Sequence, residues 1–152
     1  MTDGGCRMDP TCLWSEVEFT VEFFDVDSMQ VVWHGNYLKY MERARCALLD
    51  KIGYNYRQMI ASGYTWPVVD VRLKYIRPLV FGQSVRIRAT MIDYENRIKI
   101  GYVIYDPLGE GKIFEGHSVQ MAVDTRTGES CFATPRIAVE RIESFLNGPE
   151  GT

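Results

Sequence analysis

The chain has 152 residues, a formal net charge of −3 at pH 7, and is 46% hydrophobic and 24% charged. That balance excludes a disordered chain, and seven Phe, nine Tyr and three Trp supply the core of one domain without a metal or a disulfide framework. Lys and Arg form no basic block of the kind a nucleic-acid partner needs, and the apolar runs are too short for a membrane-spanning helix.

Residues 1–14 open with MTDGGCRMDPTC, which has no periodicity, and read as a flexible leader. They lack the apolar core of a secretory signal, so a cytoplasmic protein is expected. The four cysteines, at 6, 12, 46 and 131, show no CxxC spacing, and only His34 and His117 could add imidazole ligands. No metal site and reduced thiols are therefore expected.

From Glu16 to Phe23 polar and apolar residues alternate strictly, the period of a half-buried strand, and Asp25-Val26-Asp27-Ser28 turns it. Asn36 is a good N-cap for a helix from Tyr37 to about Ile52, closed by Gly53. Tyr37, Tyr40, Met41, Ala44, Ala47, Leu48 and Ile52 cover one side of that helix, Leu38 and Leu49 widen it, and only a narrow polar strip is left. A helix this apolar wants cover over most of its circumference. A short helix, about Tyr56 to Ser62, follows.

Strand patterns then run from Val68 to Ile76, Ser84 to Met91, Arg97 to Tyr105 and Lys112 to Val123, separated by turn compositions such as Asp106-Pro107-Leu108-Gly109. A terminal amphipathic helix spans Ile137 to Leu146. The order implies α+β: one domain, residues 15–147, with an antiparallel sheet curled round a long central helix, and a flexible tail at 148–152. Such a sheet has bare edges, which pairing with a second copy would cover.

There is no GxSxG, P-loop, GxGxxG or HExxH. What stands out is the stretch from Phe24 to Tyr37, which sets two carboxylates and a histidine between a strand end and a helix start. A helix N-terminus carries unpaired amides and partial positive charge, which suits a developing oxyanion. A carboxylate beside it can attack a carbonyl or activate water. Asp25 reads as a turn residue at the strand end, Glu42 as an i,i+3 partner of Arg45, and His117 as a structural residue on a strand. Trp33, Tyr37, Tyr64 and Trp66 could line an acyl pocket or belong to the core.

Asp27-xxx-Val31-Val32-x-His34-x-Asn36-Tyr37, followed by Tyr40-Met41-Glu42-x-Ala44-Arg45, resembles the signature of the 4-hydroxybenzoyl-CoA thioesterase family of hot-dog proteins. Within it the segment is most similar to the acyl-CoA thioesterases associated with the Tol–Pal system, which carry a histidine in the same place. The resemblance covers roughly Val17 to Leu146. It implies a hydrolase that releases a free acid and a thiol from acyl-CoA or an acyl carrier protein. Asp27 would be the catalytic nucleophile or general base, and the backbone amide at His34 would polarise the carbonyl. The His34 side chain would orient water or the leaving thiolate. Gln30, Val31, Trp33, Asn36, Tyr37 and Arg97 are the expected substrate contacts. The family needs no cofactor, since coenzyme A or phosphopantetheine belongs to the substrate, and it implies a homodimer or homotetramer with shared sites. Many members carry glycine in the turn where this chain has Gln30, and where the benzoyl-CoA enzyme is strongly basic this chain reads Tyr94-Glu95-Asn96-Arg97-Ile98-Lys99. Two rival readings are a hot-dog 3-hydroxyacyl thioester dehydratase, using His34 with Asp27 or Glu42, and a non-catalytic acyl-binding subunit.

Overall fold

The computed structural model describes residues 9–109 and 111–148. In chain order they form β1 (Trp14–Thr20), α1 (Tyr37–Lys51), α2 (Tyr56–Ala61), β2 (Tyr64–Thr65), β3 (Val68–Tyr75), β4 (Ser84–Asp93), β5 (Ile98–Tyr105), β6 (Lys112–Gln120), β7 (Val123–Asp124) and α3 (Arg136–Asn147). Five strands make one antiparallel sheet in the order β1-β4-β5-β6-β3, and β2 pairs with β7 in a small separate ribbon.

Alternation builds the centre of that sheet. Val85, Ile87, Ala89 and Met91 of β4 and Ile98, Ile100 and Ile104 of β5 are fully buried on one face. Their neighbours turn outward, as the period of two requires. On the buried face lies α1, with Tyr37, Tyr40, Met41, Ala44, Leu48 and Leu49 inward. Leu48 is completely enclosed, and truncating such an anchor to Ala costs about 2–5 kcal/mol. Ala138, Ile142 and Leu146 of α3 are also buried and complete the core. The α+β architecture read from the sequence, a sheet laid on one long helix, is the observed one.

Four details differ from the sequence reading. Folded structure already occupies part of the stretch read as a leader: Pro10–Cys12 form a 3-10 turn, Leu13 is fully buried, and its carbonyl accepts from the Met91 amide at 2.9 Å. Residues 1–8 and most of the tail at 148–152 lie outside the described residues. Cys12 is disulfide-bonded, against the expectation of reduced thiols, while Cys46 and Cys131 are free. The first strand runs Trp14–Thr20 instead of reaching Phe23, because its partner ladder ends at Thr20↔Ser84 and Phe23–Asp25 coil into a 3-10 turn. The run from Lys112 to Val123 is broken after Gln120, where Met121 donates to the Pro67 carbonyl and the chain starts β7.

The edge strand β3 is the exposed one. Every residue of it except Leu73 is solvent-exposed, including Val68, Val69, Val71 and Tyr75. Its inner neighbour β6 approaches so closely that a β-carbon on Gly116 would lie 2.4 Å from the Arg72 carbonyl oxygen. Leu38 of α1 is also exposed. One chain alone therefore leaves uncovered part of the broad apolar surface of its central helix.

Candidate active site

The site grows from the loop that links β1 to α1. Asp25 closes the first turn, its carboxylate accepting from the Glu22 amide at 2.9 Å. Val26 bridges to Val32 and Val31 to Val80, so the segment between folds back as a tight loop. Asp27 and Val31 bond through Asp27 N–H and the Val31 carbonyl at 2.9 Å, and the Gln30 amide donates to the Asp27 carbonyl at 2.8 Å. Gln30 is the only described non-glycine residue with positive φ, at 67°. A β-carbon is unfavourable there, and glycine would take the same angle with less strain.

Asp27 is half-buried. Its Oδ1 accepts from the Met29 amide at 2.8 Å, a bond that orients the carboxylate. Among the described residues no donor reaches Oδ2. The carboxylate lines a groove of about 710 Å³ whose other walls are largely apolar: Phe23, Val26, Met29, Val31, Val80 and Phe81. Phe23, Met29 and Phe81 are each more than 60% exposed, an apolar collar that a solvated turn has no need of.

His34 heads a 3-10 turn, His34–Asn36, that runs directly into α1. Its imidazole is exposed and lies beside the Trp33 ring, centroids 5.2 Å apart. The leading residues of such a turn have amides that the helix itself leaves without acceptors. His34, Tyr37, Tyr75, Ile76 and Pro78 line a second cleft of about 260 Å³. Val31 is a wall of both cavities, so the Asp27 groove and the helix start adjoin.

The helix start is tied down from a distance. Asn36 stands at the expected N-cap position of α1. Its backbone is already helical (φ −73°, ψ −16°) and its side chain caps nothing. The buried amide instead donates to the Asp25 carbonyl at 2.7 Å, an oxygen that also accepts from the Trp33 amide at 3.0 Å. Trp33 folds back over Gly35, where a β-carbon would come 2.4 Å from its ring. Tyr37 packs edge-on to Tyr75 and stacks on Phe114, and burial raises its hydroxyl pKa. Under the same loop lies the buried Tyr40 hydroxyl, whose pKa is pushed up strongly by burial and then by the neighbouring Asp25 carboxylate. Tyr75, which no sequence signal singles out, donates its hydroxyl to the His34 carbonyl at 3.0 Å.

A family profile described as the thioesterase-like superfamily matches residues 21–143, which take in this loop, the helix and the whole sheet beyond β1. The chain belongs to that superfamily. Over 97 residues, 63% of this chain and 70% of the relative, it is 37% identical to the "Putative acyl-CoA thioesterase YneP" of Bacillus subtilis (strain 168). Over 112 residues, 73% of this chain and 59% of the relative, it is 24% identical to the chloroplastic acyl-acyl carrier protein thioesterase ATL3 of Arabidopsis thaliana. Among solved structures, the DHNA-CoA thioesterase of Staphylococcus aureus is similar with a TM-score of 0.70 at 25% identity, covering 78% of this chain and 80% of that one.

The remaining expected residues of this superfamily member are dispersed. Arg97 sits at the β4–β5 turn, 3.6 Å from Asp93, next to Ile98, which pairs through Gln120 to Val68. His34 is bonded to Tyr75 at the other end of β3, roughly 23 Å away at about 3.3 Å per residue. Within one chain Arg97 therefore lies far from the two cavities, because the spacing in sequence says nothing about which end of the sheet a hairpin occupies. Glu42 pairs with Arg45. Trp66 is a core residue whose indole donates to the Tyr54 hydroxyl, and neither it nor Tyr64 lines the two cavities. His117 lies on the outer sheet face, 3.9 Å from Asp70. Burial and then Lys99 lower its pKa, with Arg72 and Arg97 adding to that against Asp70.

Proposed function

We propose that this chain hydrolyses the thioester of an acyl group carried on coenzyme A or an acyl carrier protein, with Asp27 as nucleophile or general base. Thioester hydrolysis itself is the activity of the superfamily to which the chain belongs, and the named relatives are thioesterases of both carrier types. The observation that carries the assignment of residues is the placement of Asp27. Its carboxylate is held by the Met29 amide through one oxygen and stands in an apolar groove that shares Val31 with the helix start.

The chemistry follows from that placement. As nucleophile, the free oxygen adds to the thioester carbon, the oxyanion is stabilised by the helix-start amide at His34, and collapse expels the thiolate. Water then cleaves the mixed anhydride, restoring Asp27 and releasing the acid. As general base, Asp27 instead takes a proton from water while the hydroxide adds, and that proton ends on the leaving sulfur. The exposed His34 imidazole stands where water or the thiolate would pass. Both routes balance as thioester plus water giving acid plus thiol. Within the superfamily we assign the chain to the 4-hydroxybenzoyl-CoA branch, close to its Tol–Pal-associated members, and we place it with its carriers in the cytoplasm.

We also propose a homodimer, itself able to pair into a homotetramer, built on the bare edge of β3. Antiparallel pairing of two such edges sets the Val68 end of one copy beside the Tyr75 end of the other. That arrangement brings the hairpin of Arg97 toward the partner's site, where a phosphate of the carrier could meet it. The apolar edge residues Val69 and Val71 support the pairing.

The test is thiol release from matched acyl-CoA and acyl-carrier-protein substrates by the native chain and by Asp27→Asn. The variant should lose on the order of a hundredfold or more in rate, and the faster carrier names the partner. A native chain that releases no thiol, but dehydrates a 3-hydroxyacyl thioester or only binds it, would sink the reading.

A further inference from the structure

We propose that Tyr75 is a positioning residue for a second carbonyl-polarising donor, the backbone amide of Gly35. The inference rests on the thioesterase reading above and adds to the helix-start amide at His34 a neighbour whose direction is set from another strand.

The geometry is direct. The Tyr75 hydroxyl donates to the His34 carbonyl oxygen at 3.0 Å across 41 positions of chain. No cis peptide is present among the described residues. In a planar trans peptide the carbonyl of one residue and the N–H of the next point in opposite directions. Fixing the His34 carbonyl therefore fixes the Gly35 N–H, which faces away from Tyr75 at the head of α1. Donation into that carbonyl also polarises the peptide and makes its N–H a better donor.

Tyr75 is itself well held. Its ring stands edge-on to Tyr37, centroids 4.9 Å apart at 86°, and tilts against Phe114 at 5.7 Å. Burial raises its hydroxyl pKa, so it stays a donor through neutral and mildly alkaline pH. The residue whose amide is aimed is a glycine that lets the Trp33 ring fold over it, 2.4 Å from where a β-carbon would sit. Tyr75 and His34 line the same cleft, and Val31 joins that cleft to the groove of Asp27. A thioester that spans the two cavities would present its carbonyl between Asp27 and the helix head.

The experiment compares the full-length native chain with Tyr75→Phe, which deletes only the hydroxyl. Two readouts are taken: kcat and KM on the thioester the native chain turns over fastest, and the infrared carbonyl band of a bound ketone analogue in which a methylene replaces the thioester sulfur. Tyr105→Phe is the control, because the Tyr105 hydroxyl also donates across strands, to Glu16 on β1 at 2.6 Å, away from both cavities. Tyr75→Phe should lower kcat on the order of tenfold with KM within about twofold. The analogue's carbonyl band should also move back toward its position in water, while Tyr105→Phe moves neither. Native kcat in Tyr75→Phe overturns the assignment and leaves the thioesterase reading standing. So does a fall in kcat with an unmoved carbonyl band, which would mark a purely structural bond. A native chain without thiol release overturns both.

Discussion

Asp27 and His34 stand at adjoining cavities, yet the chain holds them by different means. The Asp27 turn is closed by bonds that span two to four residues: Met29 N–H to its side chain, Gln30 N–H to its carbonyl, and its own N–H to Val31. The His34 turn is fixed from Asp25, eleven residues from Asn36, and from Tyr75 on the far edge of the sheet. The carboxylate is thus a local construction that any similar turn could carry. The helix-start peptides keep their present direction only because the whole sheet is in place. The proposed mechanism draws on both, so its reactive group rests on a local turn and its electrostatic half depends on the fold.

That contrast can be broken from either side. The largest effect should come from Asp27→Asn: Asn keeps a side-chain oxygen for the Met29 amide, so the thermal midpoint should hold while the rate falls on the order of a hundredfold or more. A parallel loss of stability would show that the carboxylate is a turn residue first. On the other side, Gly35→Ala forces the Trp33 ring out of its place and should cost about 1–3 kcal/mol in urea unfolding. Adding Trp33→Ala should return part of that cost, and strict additivity of the two changes would refute the contact.

Smaller effects sharpen the comparison. Asn36→Ala removes the bond to the Asp25 carbonyl, which keeps its second donor from Trp33. A loss of about 1 kcal/mol is expected, together with a severalfold fall in kcat as the helix start loosens. Unchanged stability would mean that Asn36 does not tie the two turns together. Gln30→Gly should raise stability by about 0.5–1 kcal/mol by relieving its positive φ, with activity kept. If that variant is less stable, the strain is not where the backbone angle puts it.

How much of this was legible in the sequence follows the same division. The alternation of Val85, Ile87, Ala89 and Met91 and the breadth of the Tyr37–Lys51 helix are local signals, and both elements lie where the pattern puts them. The Asp27 turn was legible as a turn for the same reason. The N-cap position of Asn36 was legible, but the partner of its side chain was not, because N-cap preference considers only the next few residues and this amide serves a carbonyl eleven positions back. The separation of Arg97 from the Asp27 loop within one chain was not legible, because strand order, and not spacing, decides which end of the sheet a hairpin reaches. Tyr75 carried no signal at all: an aromatic residue closing a β-rich run looks like packing until the fold sets its hydroxyl against His34.

The bare edge of β3 has one more consequence, for the time over which the site exists. A strand hydrogen-bonded on one side only opens more often than its inner neighbours, and Tyr75 is its last residue. Each opening of that end releases the His34 carbonyl and lets the following peptide turn, so the donor at the helix head is available only for a fraction of the time. Occupation of the edge by another strand lengthens that fraction without touching a single atom of the site. Amide exchange along Val71 to Tyr75 and activity per chain should then fall and rise in opposite senses as the protein is concentrated, two readings of one fraying equilibrium.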